Sequence, residues 1–197
     1  MNIDSIDKPP LAERLAKLPP RLTVYEYHQL ATAGVLDEDD RVELIEGRLV
    51  AMSPIGSRHA GTVTLLVRLL SRAVGDRAWV WVGNPVALSD LSEPQPDLAL
   101  LKPRPDPYIE ALPQAADVLL LIEVADSSLR FDRAVKVPLY ARHGIAEYWL
   151  IDVERRRVTV FSDPGEQGYR VEAEVVEGVL SAKLLPEARV RLDELFR

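Results

Sequence analysis

The 197 residues are 47% hydrophobic and 28% charged, enough apolar chain to bury one full core, which excludes a disordered tail protein or a collagen-like fibre. Lys and Arg total 24 against 31 Asp and Glu, and the net charge of −7 argues against a protein that holds DNA over its whole surface by counterion release, while leaving room for a local basic groove. With no cysteine, disulfide scaffolds, thiolate zinc sites, iron–sulfur clusters and cysteine nucleophiles are all excluded.

The opening MNIDSIDKPPLAERLAK has neither the basic start nor the apolar stretch of a signal peptide. No run approaches the roughly 18–20 apolar residues of a membrane span, so a soluble, cytoplasmic chain is expected. Pro9, Pro10, Pro19 and Pro20 mark residues 1–20 as an N-terminal arm with at most two helical turns. Thr23 and Glu26 form a capping-box pattern, and Gly34 supplies a stop, predicting a helix over about 24–33. RVELIEGRLVAM alternates around Glu46-Gly47 and reads as a hairpin.

Between Ser57 and Gly75, His59, Val63, Leu66, Leu70 and Val74 recur at three- and four-residue spacing, one face of an amphipathic helix. Strands are predicted within 78–88, 97–102 and 117–125, the last apolar on both faces except for Glu123, as in an interior strand. Asp132 and Gly144 bracket another helix, with Pro138 expected to kink it. EYWLID and RVTVF read as two strands across the ERRR turn, and the tail adds one or two weaker strands before a short LDELF turn. The pattern is that of a single mixed α/β domain over 21–197.

Glu123 is the first residue that needs a chemical explanation. A carboxylate on an interior strand loses several kcal/mol of hydration and requires a raised pKa, a paired cation or a metal, unless it sits at the strand's open end in water. Asp97 opens the strand DLALLK and could face Glu123, and two close carboxylates repel unless a cation lies between them. Asp132, Lys136 and Tyr140 share one helix face, either as an ordinary solvated Asp–Lys pair or as a cation and a phenol pointing back at the strand. Arg130, Arg133, Arg142 and His143 make this the most basic stretch of an acidic chain, suited to a phosphate backbone. His59 on an apolar helix face reads first as a hydrogen-bonded core histidine. Glu43 alternates opposite Leu44 and faces either solvent or a cleft.

Taken together, LTVYEYHQL, RVELIEGRLVAMSP, SRHAGTV, PQPDLALL and LLIEVADSSLRFDRAVKVPLYARHGIAEYWLID resemble the Uma-two family, within the PD-(D/E)XK restriction-endonuclease-like superfamily, over about residues 22–162. The resemblance implies a restriction-endonuclease-like α/β core, a central mixed sheet flanked by helices, and hydrolysis of phosphodiester bonds in DNA with Mg²⁺ or Mn²⁺. It implies that Asp97 and Glu123 are catalytic metal ligands, that Glu43 is an upstream acid at the metal site, and that Lys136 replaces the motif lysine, whose position holds Ala125. His59 and Tyr140 are implied as accessory residues, Arg130 and Arg133 as phosphate contacts, and a homodimer as the cutting unit. A catalytically inactive domain that binds nucleic acid or protein on the same fold is the alternative, favoured by Ala125. On the active reading, Asp97→Ala or Glu123→Ala is expected to abolish cleavage and leave the thermal melt nearly intact.

Overall fold

A computed structural model describes residues 8–37 and 39–197; residues 1–7 of the predicted arm, and Glu38, lie outside the described residues. The chain forms two compact units, Met1–Met52 with Leu88–Pro94, and Ser53–Ala87 with Gln95–Arg197.

In the smaller unit, the predicted arm contains α1 (Leu11–Leu15). Arg14 ties it down, with both terminal guanidinium nitrogens 2.6 Å from the two oxygens of Asp40 and one of them 2.7 Å from the Val35 carbonyl. α2 (Val24–Thr32) begins at the predicted capping box. The Glu26 N–H donates to Thr23 Oγ1, and the Thr23 N–H donates to Glu26 Oε2 at 2.7 Å, so two helix-end donors are satisfied reciprocally. The hairpin pairs β1 (Val42–Ile45) with β2 (Arg48–Ala51). Its two turn residues, Glu46 and Gly47, have φ of 50° and 83°, the left-handed pair that a two-residue hairpin turn requires.

In the larger unit, α3 (Ser57–Val74) spans the predicted helix. β3 (Trp79–Val82) is shorter than the stretch 78–88, because Gly83 turns with φ 59° and Pro85 has no N–H to give a ladder. β4 (Leu98–Leu101) and β5 (Val118–Ala125) follow. The next helix starts earlier than Asp132. A short α4 (Leu129–Phe131) leads through a π turn, Asp132–Lys136, into α5 (Val137–Arg142). Pro138 stands at the start of α5, and its missing N–H and bulky ring are accommodated by the widened turn before it.

β6 (Glu147–Asp152) and β7 (Arg157–Gly165) flank the ERRR turn, where Arg156 has φ 53°. The tail holds more strand than expected: β8 (Gly168–Val175), β9 (Val179–Ser181) and β10 (Arg189–Arg191), then α6 (Leu192–Leu195). Exposed alternation in β8 is weak in sequence because this strand is a sheet edge and buries little.

Six strands form one mixed sheet in the order β3-β4-β5-β6-β7-β8, and only β5 and β6 run parallel. β5 is interior, as its apolar faces require. Leu66, Leu70 and Val74 of α3 pack on Leu98, Leu100, Leu120, Ile122 and Trp149, forming the core of one face. Leu66 and Leu70 are fully buried, each contributing roughly 1.5–3 kcal/mol by the area rule. On the opposite face Tyr140 meets Tyr148 edge-on at 5.2 Å, and Tyr148 stacks on Phe161 at 5.5 Å. The Tyr148-Trp149 pair is therefore core, one ring on each face of β6.

Candidate active site

Antiparallel pairing sets the site. Leu98 faces Ile122 across β4 and β5, and one further residue of register brings Asp97 opposite Glu123 with both side chains on the same face. This is the end of the sheet where β4 begins and β5 finishes. The Val124 N–H donates to Asp97 Oδ2 at 2.7 Å, and the Asp97 N–H reaches Glu123 Oε2 at 3.4 Å, near the limit of a hydrogen bond.

Glu123 is only 4% exposed, so it does not escape into water at the strand end. Its charge is met by a cation: the Lys136 ammonium donates to Oε1 at 2.8 Å, and the Tyr140 hydroxyl donates to the same oxygen at 2.8 Å. Lys136 is equally buried. The π turn and the first turn of α5 carry these two donors, four residues apart, onto one carboxylate oxygen. π turns recur at functional sites because the wider turn re-aims side chains. Asp132, also buried, accepts from the Ser128 hydroxyl at 2.5 Å. Burial first, then the negative charges of Asp132 and Glu123, pushes the Tyr148 phenol beneath them well up, so it stays a neutral hydroxyl.

His59 approaches from the first turn of α3. Its Nδ1 lies 2.9 Å from the Val124 carbonyl and its Nε2 lies 3.0 Å from Asp97 Oδ1. The predicted core histidine is thus half-buried and attached to the carboxylate end of the sheet. One of its two partners is a backbone carbonyl, which leaves no trace in a sequence pattern.

Glu43 is buried on β1 in the smaller unit. Arg133 donates to Glu172 at 2.8 Å and to Thr159 Oγ1 at 3.2 Å, with its guanidinium over the Phe161 ring, so its charge is directed at β7 and β8. Arg130 is exposed. Sequence reasoning missed a second basic group. A cavity of about 340 Å³ at the start of α3 is lined by Ser57, Arg58, Thr62, Arg156 and Arg197, among others. The signals were present in Arg58 beside His59 and in the ERRR turn, but nothing local joined them. Glu147, another buried acid, accepts from the Trp149 indole and the Lys183 N–H and is a structural tie.

Among the described residues no three His, Asp or Glu side chains gather as a ready-made metal cage. The donor chemistry at the sheet end nevertheless suits a divalent cation: two carboxylates facing one another at one strand end, each with one oxygen fixed by protein donors. Among the described residues no helix is long and apolar enough to cross a membrane.

A crystal structure described as a putative nuclease belonging to DUF820, from Anabaena variabilis ATCC 29413, superposes with a TM-score of 0.71. The likeness covers 89% of this chain and 97% of that one at 17% identity, which establishes a shared nuclease-like fold. Curated proteins offer no match. Residues 24–193 match the family model Uma2, whose description is "Putative restriction endonuclease".

Proposed function

The chain belongs to the Uma2 family of putative restriction endonucleases, and from that premise we propose that it is a metal-dependent endonuclease hydrolysing phosphodiester bonds in DNA. The observation that carries the reading is the pairing of Asp97 and Glu123 across β4 and β5, with Lys136 and Tyr140 both on Glu123. Asp97 and Glu123 would hold Mg²⁺ or Mn²⁺, which supplies Lewis-acid polarisation of the phosphate and an acidified water.

The protein's own groups do the rest. Lys136 and Tyr140 converge on Oε1 of Glu123 and so orient Oε2 toward Asp97. The Lys136 charge, replacing the lysine that the motif would have at Ala125, stabilises negative charge developing on the phosphate. The low exposure of the pair strengthens that effect, since the ammonium is screened little by water. Arg58, next to His59 in the chain and 65% exposed beyond its 3.4 Å contact with Asp126, and Arg156 line one cavity and are suited to a flanking phosphate, which supports a nucleic-acid substrate in spite of the −7 net charge. Two copies acting together, as a homodimer, would cut both strands of a duplex. A soluble cytoplasmic protein is the corresponding setting.

The test is nicking and linearisation of supercoiled plasmid with Mg²⁺ or Mn²⁺. Asp97→Asn is expected to abolish cleavage while the melt shifts by about 1 kcal/mol or less, since the amide oxygen still accepts from the Val124 N–H. Cleavage that survives this change would assign it to another site. Ala125 favours a second reading, a non-catalytic domain that binds nucleic acid or protein. That reading gains if DNA binds and no divalent cation is taken up in a calorimetric titration.

A further inference from the structure

The His59 ring is held between two acceptors, a backbone carbonyl and a carboxylate. The Val124 carbonyl can only accept, so the His59 Nδ1 at 2.9 Å from it carries the N–H. In the neutral imidazole the remaining nitrogen, Nε2, then presents a lone pair. It faces a second acceptor, Asp97 Oδ1, at 3.0 Å. Two acceptors at that distance need a positive charge shared between them, either a proton or a metal ion. The separation is that of neighbouring metal ligands: two donors at right angles, each about 2.1 Å from an octahedral ion, lie about 3.0 Å apart. The remaining arrangement is that of a metal-binding histidine, because such a ring regularly donates its other N–H to a backbone carbonyl or carboxylate, which fixes tautomer and orientation.

We propose that His59 is a metal ligand through Nε2, next to Asp97, giving a site with one imidazole nitrogen among oxygens that selects Mn²⁺ over Mg²⁺. This rests on the metal-dependent reading above and deepens it. Imidazole suits transition ions, whereas Mg²⁺ strongly prefers oxygen and keeps its water. The N-terminal turn of α3 is the element that delivers this ligand, and the β5 carbonyl next to Glu123 is the group that aims it.

The experiment uses the whole chain with Mn²⁺ alone as the probe. Electron spin-echo spectroscopy of the Mn²⁺ complex, prepared with ¹⁴N and with ¹⁵N-labelled histidine, should show a directly bound imidazole nitrogen whose coupling changes with the isotope. His59→Asn places an amide N–H where Nδ1 was and removes Nε2. It should erase that coupling and weaken Mn²⁺ binding by on the order of 10- to 100-fold in calorimetry, with a smaller loss for Mg²⁺. The isotope measurement on the unmutated protein stands even if the variant folds poorly. Mn²⁺ bound in an Asp97-dependent way without nitrogen coupling, or equal or tighter binding in His59→Asn, would overturn the His59 assignment alone. No Mn²⁺ binding by the unmutated protein would overturn it together with the metal-dependent reading.

Discussion

The Glu123–Lys136 pair makes a quantitative prediction about stability that corrects the expectation drawn from sequence. Both side chains are 5% exposed and 2.8 Å apart, so removing one partner leaves the other charge buried. Lys136→Met keeps the volume of the stem and deletes the charge. Breaking a buried pair in this way costs about 3–5 kcal/mol, which for a chain of this length corresponds to a fall in Tm of roughly 6–20 °C. Glu123→Gln should cost a similar amount, somewhat eased because an amide oxygen still accepts from Tyr140. The double variant should be little worse than either single one, since both charges are then gone, giving a coupling energy of several kcal/mol. Glu123→Ala therefore cannot leave the melt intact, whereas changes at Asp97, which is 18% exposed and bonded to backbone, can come close. All three tryptophans lie in the larger unit, so urea denaturation followed by tryptophan fluorescence, with a chelator present, reads the unfolding of the unit that holds the pair. A Lys136→Met loss under about 1 kcal/mol, with additive behaviour in the double variant, would refute the picture of a desolvated ion pair.

Three further outcomes are expected. Tyr148 has a buried hydroxyl with no hydrogen-bond partner among the described residues. Tyr148→Phe should therefore leave Tm unchanged or raised, and a drop above about 1 kcal/mol would show that the hydroxyl is bonded. Asp40 is held below the usual carboxylate range by the hydrogen bonds and charge of Arg14. Its stabilising contribution is full above the unfolded aspartate value and is lost as pH falls from about 4 through the lower folded value; Asp40→Asn should flatten that part of a stability–pH curve measured by urea titration. Arg58→Ala together with Arg156→Ala should weaken DNA binding across sequences and reduce the salt slope by about two in log–log plots of affinity, while a slope unchanged from the parent would remove the cavity from the DNA path.

Local patterns carried much of the architecture. The Thr23 and Glu26 side chains bond to one another and to one another's backbone, so a stretch of four residues suffices to mark the start of α2. Glu46-Gly47 encodes its own turn. The run Val118–Val124 announces an interior strand because apolar residues on both alternating faces have no other way to leave water. The edge strands β8, β9 and β10 were harder to see, since an edge strand with one exposed face needs few apolar residues. The π turn was also hidden: Pro138 signals a break in the helix, but the sequence does not say whether the helix kinks, stops or widens.

What the sequence determined by itself was therefore the order of elements, the interior position of β5, and the oddity of one acid within it. What only the tertiary structure decided was the environment of that acid. Lys136 and Tyr140 arrive 13 and 17 residues downstream, and His59 reaches Asp97 and Val124 from a helix far upstream. The reason is physical. Hydrophobic period and capping are satisfied within a few residues, whereas the partners of a buried charge depend on register between strands and on how a crossover helix packs back on the sheet. The sequence could state that Glu123 needed a counter-charge; the fold alone chose which one.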